Sequence, residues 1–437
     1  MKKAAFQPSF FINNRKKLAV LLPPKTLALF FANDRMPRSG DQHFLFRQNS
    51  DLYYMSGILQ PDTILAVCPD HPNPRYREIL FIQHADAVRE IWDGHRFSSK
   101  EATAVSGVET VIHVDEFNQV IDDIAYPSNY IYVNVAEDIK RDNELVTYDL
   151  RMINYLKTRF PLHQYGRLAP LMASLRFVKY SEEIHVIQNA CEITGKAFNR
   201  VLSAIRPGMH EYEIEAEMTC EIMRNGASGH AFLPIVASAK NACVLHYNVN
   251  SRLMQEGELV LLDFGAELSY YCSDCSRTIP VSGRFTPRQR QLYEAALRVF
   301  RKIMHIIRPG FSIVQINMQA GRFWEEEHVR LGLYSMEDVR RQDPDQPLYR
   351  KYFMHGVTHS LGLDVHDVCD RYQPLEPGAI LTCEPGIYIP EEGIGIRLEN
   401  DMLVTPSDPI DLMKHIPIEP DEIEERMKKP TPCPPPA

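Results

Sequence analysis

No apolar run in the 437-residue chain approaches the ~20 residues that a membrane-spanning helix requires. Basic charge is also short: 48 Lys and Arg stand against 57 Asp and Glu, a net charge of −9. The chain therefore lacks the electrostatic footprint of a nucleic-acid binder and the polybasic surface that anionic lipid attracts. Cysteines number nine, an odd count scattered along the chain, which argues against a disulfide framework and for reduced thiols. The N-terminus, MKKAAFQPSFFINNRKKLAV, opens with lysines as a signal peptide does. Gln7, Pro8 and the polar NNRKK break its apolar stretch, so the hydrophobic region is missing. These absences predict a cytoplasmic protein with no nucleic-acid and no membrane partner.

What is present suggests two domains. TLALFFA (26–32), TILAVC (63–68), EILFIQ (78–83) and YIYVNV (130–135) are apolar runs of strand length separated by polar or turn-rich segments. Residues 1–173 read as an α/β domain. The boundary falls near LAPLMASLRFVKYSEEI, where Ser181, Glu182 and Glu183 open an amphipathic helix over roughly 181–205. Residues 174–427 contain an internal repeat. IRPG closes a helical pattern at Ile205–Gly208 and again at Ile307–Gly310. EGELVLLDFG (256–265) aligns with EPGAILTCEPG (376–386) on Gly257 and Gly378, with an acid six residues beyond each, Asp263 and Glu384. Two related halves are implied, each offering a carboxylate from one strand position, with inner strands in a shared sheet and helices outside. The tail KKPTPCPPPA (428–437) is proline-rich and reads as disordered.

The chemistry-bearing residues are acids and histidines. ELVLLDFGAEL (258–268) is an almost unbroken apolar strand carrying Asp263, and YYCSDCSRTIPV (270–281) looks like the returning strand carrying Asp274. A lone Asp in an apolar run is costly to bury unless paired or metal-bound; a hydrogen-bonded Asp beside a turn is the plainer alternative. The C-x-x-C around Asp274 spells a thiol site, but strand alternation turns Cys272 and Cys275 to opposite faces, and no second C-x-x-C follows. FMHGVTHSLGLDVHD (353–367) places His355, His359 and His366 close together in what reads as a loop. ILTCEPGIYI adds Glu384, and GIGIRLENDMLV adds Arg397 and Glu399. Asp263, Asp274, Glu384 and Glu399 on one sheet would repel strongly without cations. Four carboxylates and an imidazole suit two divalent ions about 3.5–4 Å apart. A mostly oxygen donor set favours a hard ion such as manganese over zinc.

The motifs LLDFGAE, YCSDCSRT, MHGVTHSLGLDVHD, LTCEPGIYI and GIGIRLEND resemble those of the pita-bread family of creatinase, prolidase, methionine aminopeptidase and aminopeptidase P. FRQNSDLYYMSGI (46–58) and EIWDGHR (90–96) are similar to the N-terminal domain of the aminopeptidase P branch, so the resemblance covers nearly the whole chain. It implies an N-terminal α/β domain and a C-terminal pita-bread α+β domain with pseudo-twofold halves. It also implies a metal-dependent exopeptidase releasing the residue before a proline. Asp263 would hold one ion, Asp274 and Glu399 would bridge two, and His359 and Glu384 would hold the other. The ions would activate a shared water, with Glu384 as general base and His246 or His366 stabilising the oxyanion. His355, Tyr388 and Arg397 are candidates for the proline pocket or its support. Arg397 reads in preference as an orienting partner of Glu399, and Tyr388 equally as a strand residue of the core. The resemblance further implies a homo-oligomer, dimer or tetramer, in which N-terminal domains cover neighbouring sites; Trp92 fits such a cover or simple packing. Prolidase, with the same five ligands but dipeptide substrates, is the alternative enzyme. Methionine aminopeptidase normally lacks such an N-terminal domain. A ligand-free binding role conflicts with five ligand types standing in order.

Overall fold

The four apolar runs of the N-terminal half become strands Thr26–Phe31, Ile64–Val67, Glu78–Ile82 and Tyr130–Val133 of one six-stranded sheet. The computed structural model describes residues 6–135, 137 and 145–428. The first residues of the N-terminal stretch and, beyond Lys428, the tail expected to be disordered lie outside them. The chain divides into two units, Met1–Leu175 and Arg176–Ala437.

In the first unit the strand order is Thr110–His113, Glu78–Ile82, Ile64–Val67, Thr26–Phe31, Tyr130–Val133, Gln164–Arg167. Thr26–Phe31 lies antiparallel to Ile64–Val67 and parallel to Tyr130–Val133. All six of its residues are buried, as the unbroken apolar run requires of a central strand. Leu27, Leu29, Phe31, Ile64, Ile79 and Phe81 face the buried side of Phe117–Ala125 and Leu156 of Tyr148–Arg159.

The second unit has the pita-bread architecture, and its two halves follow the repeat. Helices Ser181–Ala204 and Pro287–Met304 each run into an IRPG turn, and each is followed by a helix, Glu211–Arg224 or Ile313–Arg330, that packs back on it. The starts are written locally. Glu183 accepts from the Tyr180 N–H at 2.8 Å, and Thr286 and Gln289 cap each other's backbone across Pro287. Gly257 and Gly378 hold φ of 79° and 97°, a left-handed turn ahead of strands Leu259–Phe264 and Ile380–Cys383. Asp263 thus stands near the end of one strand and Glu384 immediately after the other.

The shared inner sheet expected from the repeat is divided. Ile235–Ser238, Leu259–Phe264 and Cys275–Pro280 form one ladder; Ile380–Cys383, Asn400–Leu403 and Ile410–Asp411 form another; Gly386–Ile389 pairs with Ile394–Arg397. The breaks fall at Pro385, which has no N–H to give, and at Glu399. Contacts that join the halves across the break include Glu399 N–H to Ser276 O at 3.0 Å and Arg397 N–H to Thr278 Oγ1 at 3.1 Å.

Behind this framework the fully buried His328 stacks on Trp324, and its Nδ1 pairs with the Tyr334 hydroxyl at 3.0 Å. Burial pushes its pKa down to about 3. The folded state therefore keeps the ring neutral, while the unfolded chain protonates near pH 6.5. Stability is complete above that pH and is lost as pH falls, by about 2 kcal/mol at pH 5 for this group. Urea unfolding between pH 7.5 and 5 should show the decline, and His328→Gln should reduce it by about that amount. An unchanged slope in the variant would remove His328 as the cause.

Candidate metal centre

Asp263 and Asp274 meet because the chain crosses itself closely at Gly265. A Cβ there would lie 1.6 Å from Ser273 O, so no larger residue permits the crossing. The stretch expected as a single returning strand is consequently two. Tyr271–Cys272 pairs with Ala266–Leu268, Cys275–Pro280 pairs with Leu259–Phe264, and Asp274 stands at the step between them. Cys272 and Cys275 therefore sit in different ladders, both buried. Burial pushes the Cys275 thiol up to about 12.

Asp274 is nearly buried, and its backbone N–H donates to Asp401 Oδ2 at 3.0 Å. His359 Nε2 lies 3.5 Å from Asp274 Oδ2 and 3.6 Å from Glu384 Oε1. His359 Nδ1 donates to its neighbour's carbonyl, Ser360 O, at 3.0 Å, which turns Nε2 toward the carboxylates. The loop that carries this histidine has no regular structure of its own. It is tied instead by His359 N–H to Thr382 Oγ1 at 3.1 Å, Glu384 N–H to Val357 O at 2.9 Å and Val357 N–H to Asn317 Oδ1 at 2.6 Å. Glu399 is buried and accepts from Ser276 Oγ at 2.7 Å. Among the described residues, ligand atoms of Asp274, His359 and Glu399 lie within 4.8 Å of one another.

Arg397 holds more partners than the Glu399 it is expected to orient. Its Nη2 donates to Asp263 Oδ2 at 2.6 Å and its Nη1 to the Tyr388 hydroxyl at 2.9 Å. It reaches Glu399 only through Ser276, by Nε to Oγ at 2.9 Å. Tyr388 is fully buried, and its hydroxyl donates onward to His355 Nε2 at 2.8 Å. His355 Nδ1 donates to Gly356 O at 2.6 Å, so the ring carries one proton. Burial, then the Arg397 charge, hold it neutral, with a pKa near 3. His366 is exposed, its ring 4.2 Å from that of His359. His246 is exposed and near enough to His355 to disfavour its protonation.

The electrostatics suit cations. Burial first, and then the neighbouring carboxylates, raise Asp274 and Glu399 well above the ordinary range, and burial raises Glu384. Asp263 Oδ1 and Asp274 Oδ1 are buried with no hydrogen-bond partner. Buried anions with orphaned oxygens, beside an imidazole lone pair, form a donor set that divalent ions would complete. Sequence reasoning missed Ser276, Asn317, Thr382 and Asp401. Ser276 and Asp401 stand two residues beyond Asp274 and Glu399, so a period-two reading from each acid would have reached them.

The sequence profile of metallopeptidase family M24 matches residues 185–406, spanning all five expected ligands. The chain belongs to metallopeptidase family M24. As an M24 protein it is a metal-dependent peptidase. The profile of the aminopeptidase P N-terminal domain matches residues 11–132. The Xaa-Pro aminopeptidase of Escherichia coli (strain K12) is 34% identical over 95% of this chain and 97% of its own length. Human Xaa-Pro aminopeptidase 3 is 33% identical over 89% of this chain and 78% of its own. The zinc-substituted E. coli aminopeptidase P in complex with product superposes with a TM-score of 0.86 at 32% identity, covering 97% of this chain and 98% of that one.

Proposed function

We propose that this M24 protein is a Xaa-Pro aminopeptidase, releasing the first residue of peptides with proline at the second position. The observation that carries the reading is the cluster of Asp274, His359 and Glu399, with Glu384 3.6 Å from His359 and Asp263 close enough to Asp274 to disfavour its charge, in a chain similar along nearly its whole length to Xaa-Pro aminopeptidases. Asp263 would hold one divalent ion, Asp274 and Glu399 both, and His359 and Glu384 the second. When bound, the ions supply a water of lowered pKa and Lewis-acid polarisation of the scissile carbonyl.

The chain's own residues do the rest. Glu384 takes the proton of the attacking water and delivers it to the proline nitrogen. An imidazole, His246 or His366, stabilises charge developing on the carbonyl oxygen. Asp263 receives the substrate's α-amino group, which limits cutting to chain ends. Proline has no N–H and a fixed φ, so the second position must be read by ring shape. The neutral His355, braced by Tyr388 and in turn by Arg397, offers an uncharged surface for that ring. Manganese is the proposed ion, on the hardness of four carboxylates.

Cytoplasmic residence is proposed on the eight described cysteines, all free. No helix among the described residues is long and apolar enough to cross a membrane. A dimer or tetramer is proposed on the exposed Val88, Ile91 and Trp92 of helix Ala87–Asp93. The test of the activity is release of a free amino acid from Xaa-Pro-Yaa by protein supplied with Mn²⁺. A protein that retained no metal and cut no Xaa-Pro substrate would overturn the reading.

A further inference from the structure

The carboxylate of Glu211, the first residue of helix Glu211–Arg224, is fully buried and has no part in the chemistry above. Five donors converge on it. Oε1 accepts from Ser238 N–H at 2.7 Å, Ser238 Oγ at 2.6 Å and Asn241 Nδ2 at 3.2 Å. Oε2 accepts from the Tyr247 hydroxyl at 2.7 Å and Arg252 N–H at 2.9 Å. Glu211 N–H also donates to Arg252 O at 3.0 Å. Every one of these partners belongs to the segment 238–252, and that segment carries His246.

The segment needs such a clamp. Beyond the short turn Ala239–Cys243 it has no helix or strand of its own. Cys243, Leu245 and Tyr247 turn inward onto Ile235, Ala237, Leu261 and Tyr388, so the alternate residues Val244 and His246 face outward and are exposed. Its floor is set by Gly395, where a Cβ would lie 2.3 Å from Ala242 O, directly over the strand that ends in Arg397. Glu211 grips both ends of the segment and the residue next to His246. A desolvated carboxylate holds neutral donors more tightly than a neutral acceptor does.

We infer that Glu211 is a positioning residue for His246: its five-donor clamp fixes the segment that presents the imidazole to the developing oxyanion. The inference rests on the reading of His246 as the oxyanion partner. Glu211→Gln keeps the shape but puts an NH₂ among donors, which pushes the segment away. A displacement of about 1 Å at a reacting group costs up to ~10²-fold in rate. Since Glu211 itself bonds no metal ligand and none of His355, Tyr388 and Arg397, the loss should fall mainly on kcat, with KM changed less and metal content little changed.

The test is a double-mutant cycle on a Xaa-Pro-Yaa substrate, with kcat, KM and bound metal measured for each protein. Glu211→Gln should lower kcat by roughly 10–100-fold. Tyr247→Phe, which removes a single donor and leaves the carboxylate in place, should lower it less in the same sense and serves if Glu211→Gln fails to fold. In a His246→Ala background both substitutions should have almost no further effect on kcat. Equal losses with and without His246 would show that Glu211 merely stabilises the fold, and would overturn the inference. His246→Ala with unchanged kcat would instead overturn the oxyanion reading on which it stands.

Discussion

Asp274→Ala is expected to abolish peptidase activity and bound metal together, while leaving the metal-free protein as stable as before or more so. Asp274 lies in reach of His359, shares its cluster with Glu399 and has an orphaned oxygen. The loss should exceed the ~10–100-fold that outer partners of metal ligands typically cost. Stability moves the other way because the metal-free carboxylate is buried against the charges of Asp263, Asp401 and Glu384. Removing it relieves that repulsion, so the melting temperature of the chelated protein should hold or rise. Cys272→Ala with Cys275→Ala is the control. Both thiols are buried in separate ladders, and metal and activity should persist. Metal retained but activity lost in that double variant would return the chemistry to sulfur.

The second large effect is on stability. Arg277 is fully buried and joins three segments of the catalytic unit. Its Nε donates to Pro417 O at 2.7 Å, its Nη1 to Glu399 O at 2.7 Å and Ser276 O at 2.9 Å, and its Nη2 to Asn400 Oδ1 at 2.7 Å and Ile416 O at 3.3 Å. The guanidinium also lies 5.9 Å from the Phe198 ring centroid. Arg277→Met fills much of the volume but strands those buried acceptors, each worth about 1–3 kcal/mol. Partial relaxation brings the net loss to about 3–5 kcal/mol. Calorimetry should place the catalytic unit's melting temperature roughly 10 °C lower. Arg277→Lys should recover little, since an ammonium cannot span a planar fork of acceptors. A melting temperature unchanged in Arg277→Met would mean that Arg277 holds nothing together.

The strands of the first unit and the two IRPG-ended helices were legible because their signals are local: apolar runs, capping acids, Pro-Gly stops. Asp263 and Glu384 were legible because an acid ending an apolar strand is rare enough to notice, and the repeat placed them alike. Arg277, Asn317 and Glu211 were not. Their partners are mainly backbone groups and polar side chains far along the chain, and such contacts leave no periodicity. The single strand expected over 270–281 failed for a related reason. Alternation cannot register that Gly265 lets Ser273 O pass within the space of a methyl group, which splits the strand and turns Asp274 inward. Arg397, expected as an orienting partner of Glu399, is linked to it through Ser276, and its pairing with Asp263, an acid 134 residues away in sequence, had no local signal.

The most direct measurement is product analysis of the Mn²⁺-loaded protein given a Xaa-Pro dipeptide and a Xaa-Pro-Yaa tripeptide in one mixture. Free Xaa and Pro-Yaa should appear, at a rate set by the tripeptide, and both should vanish on chelation and return with metal. Cleavage of the dipeptide alone would make the protein a prolidase, and release of neither product by metal-loaded protein would contradict the account.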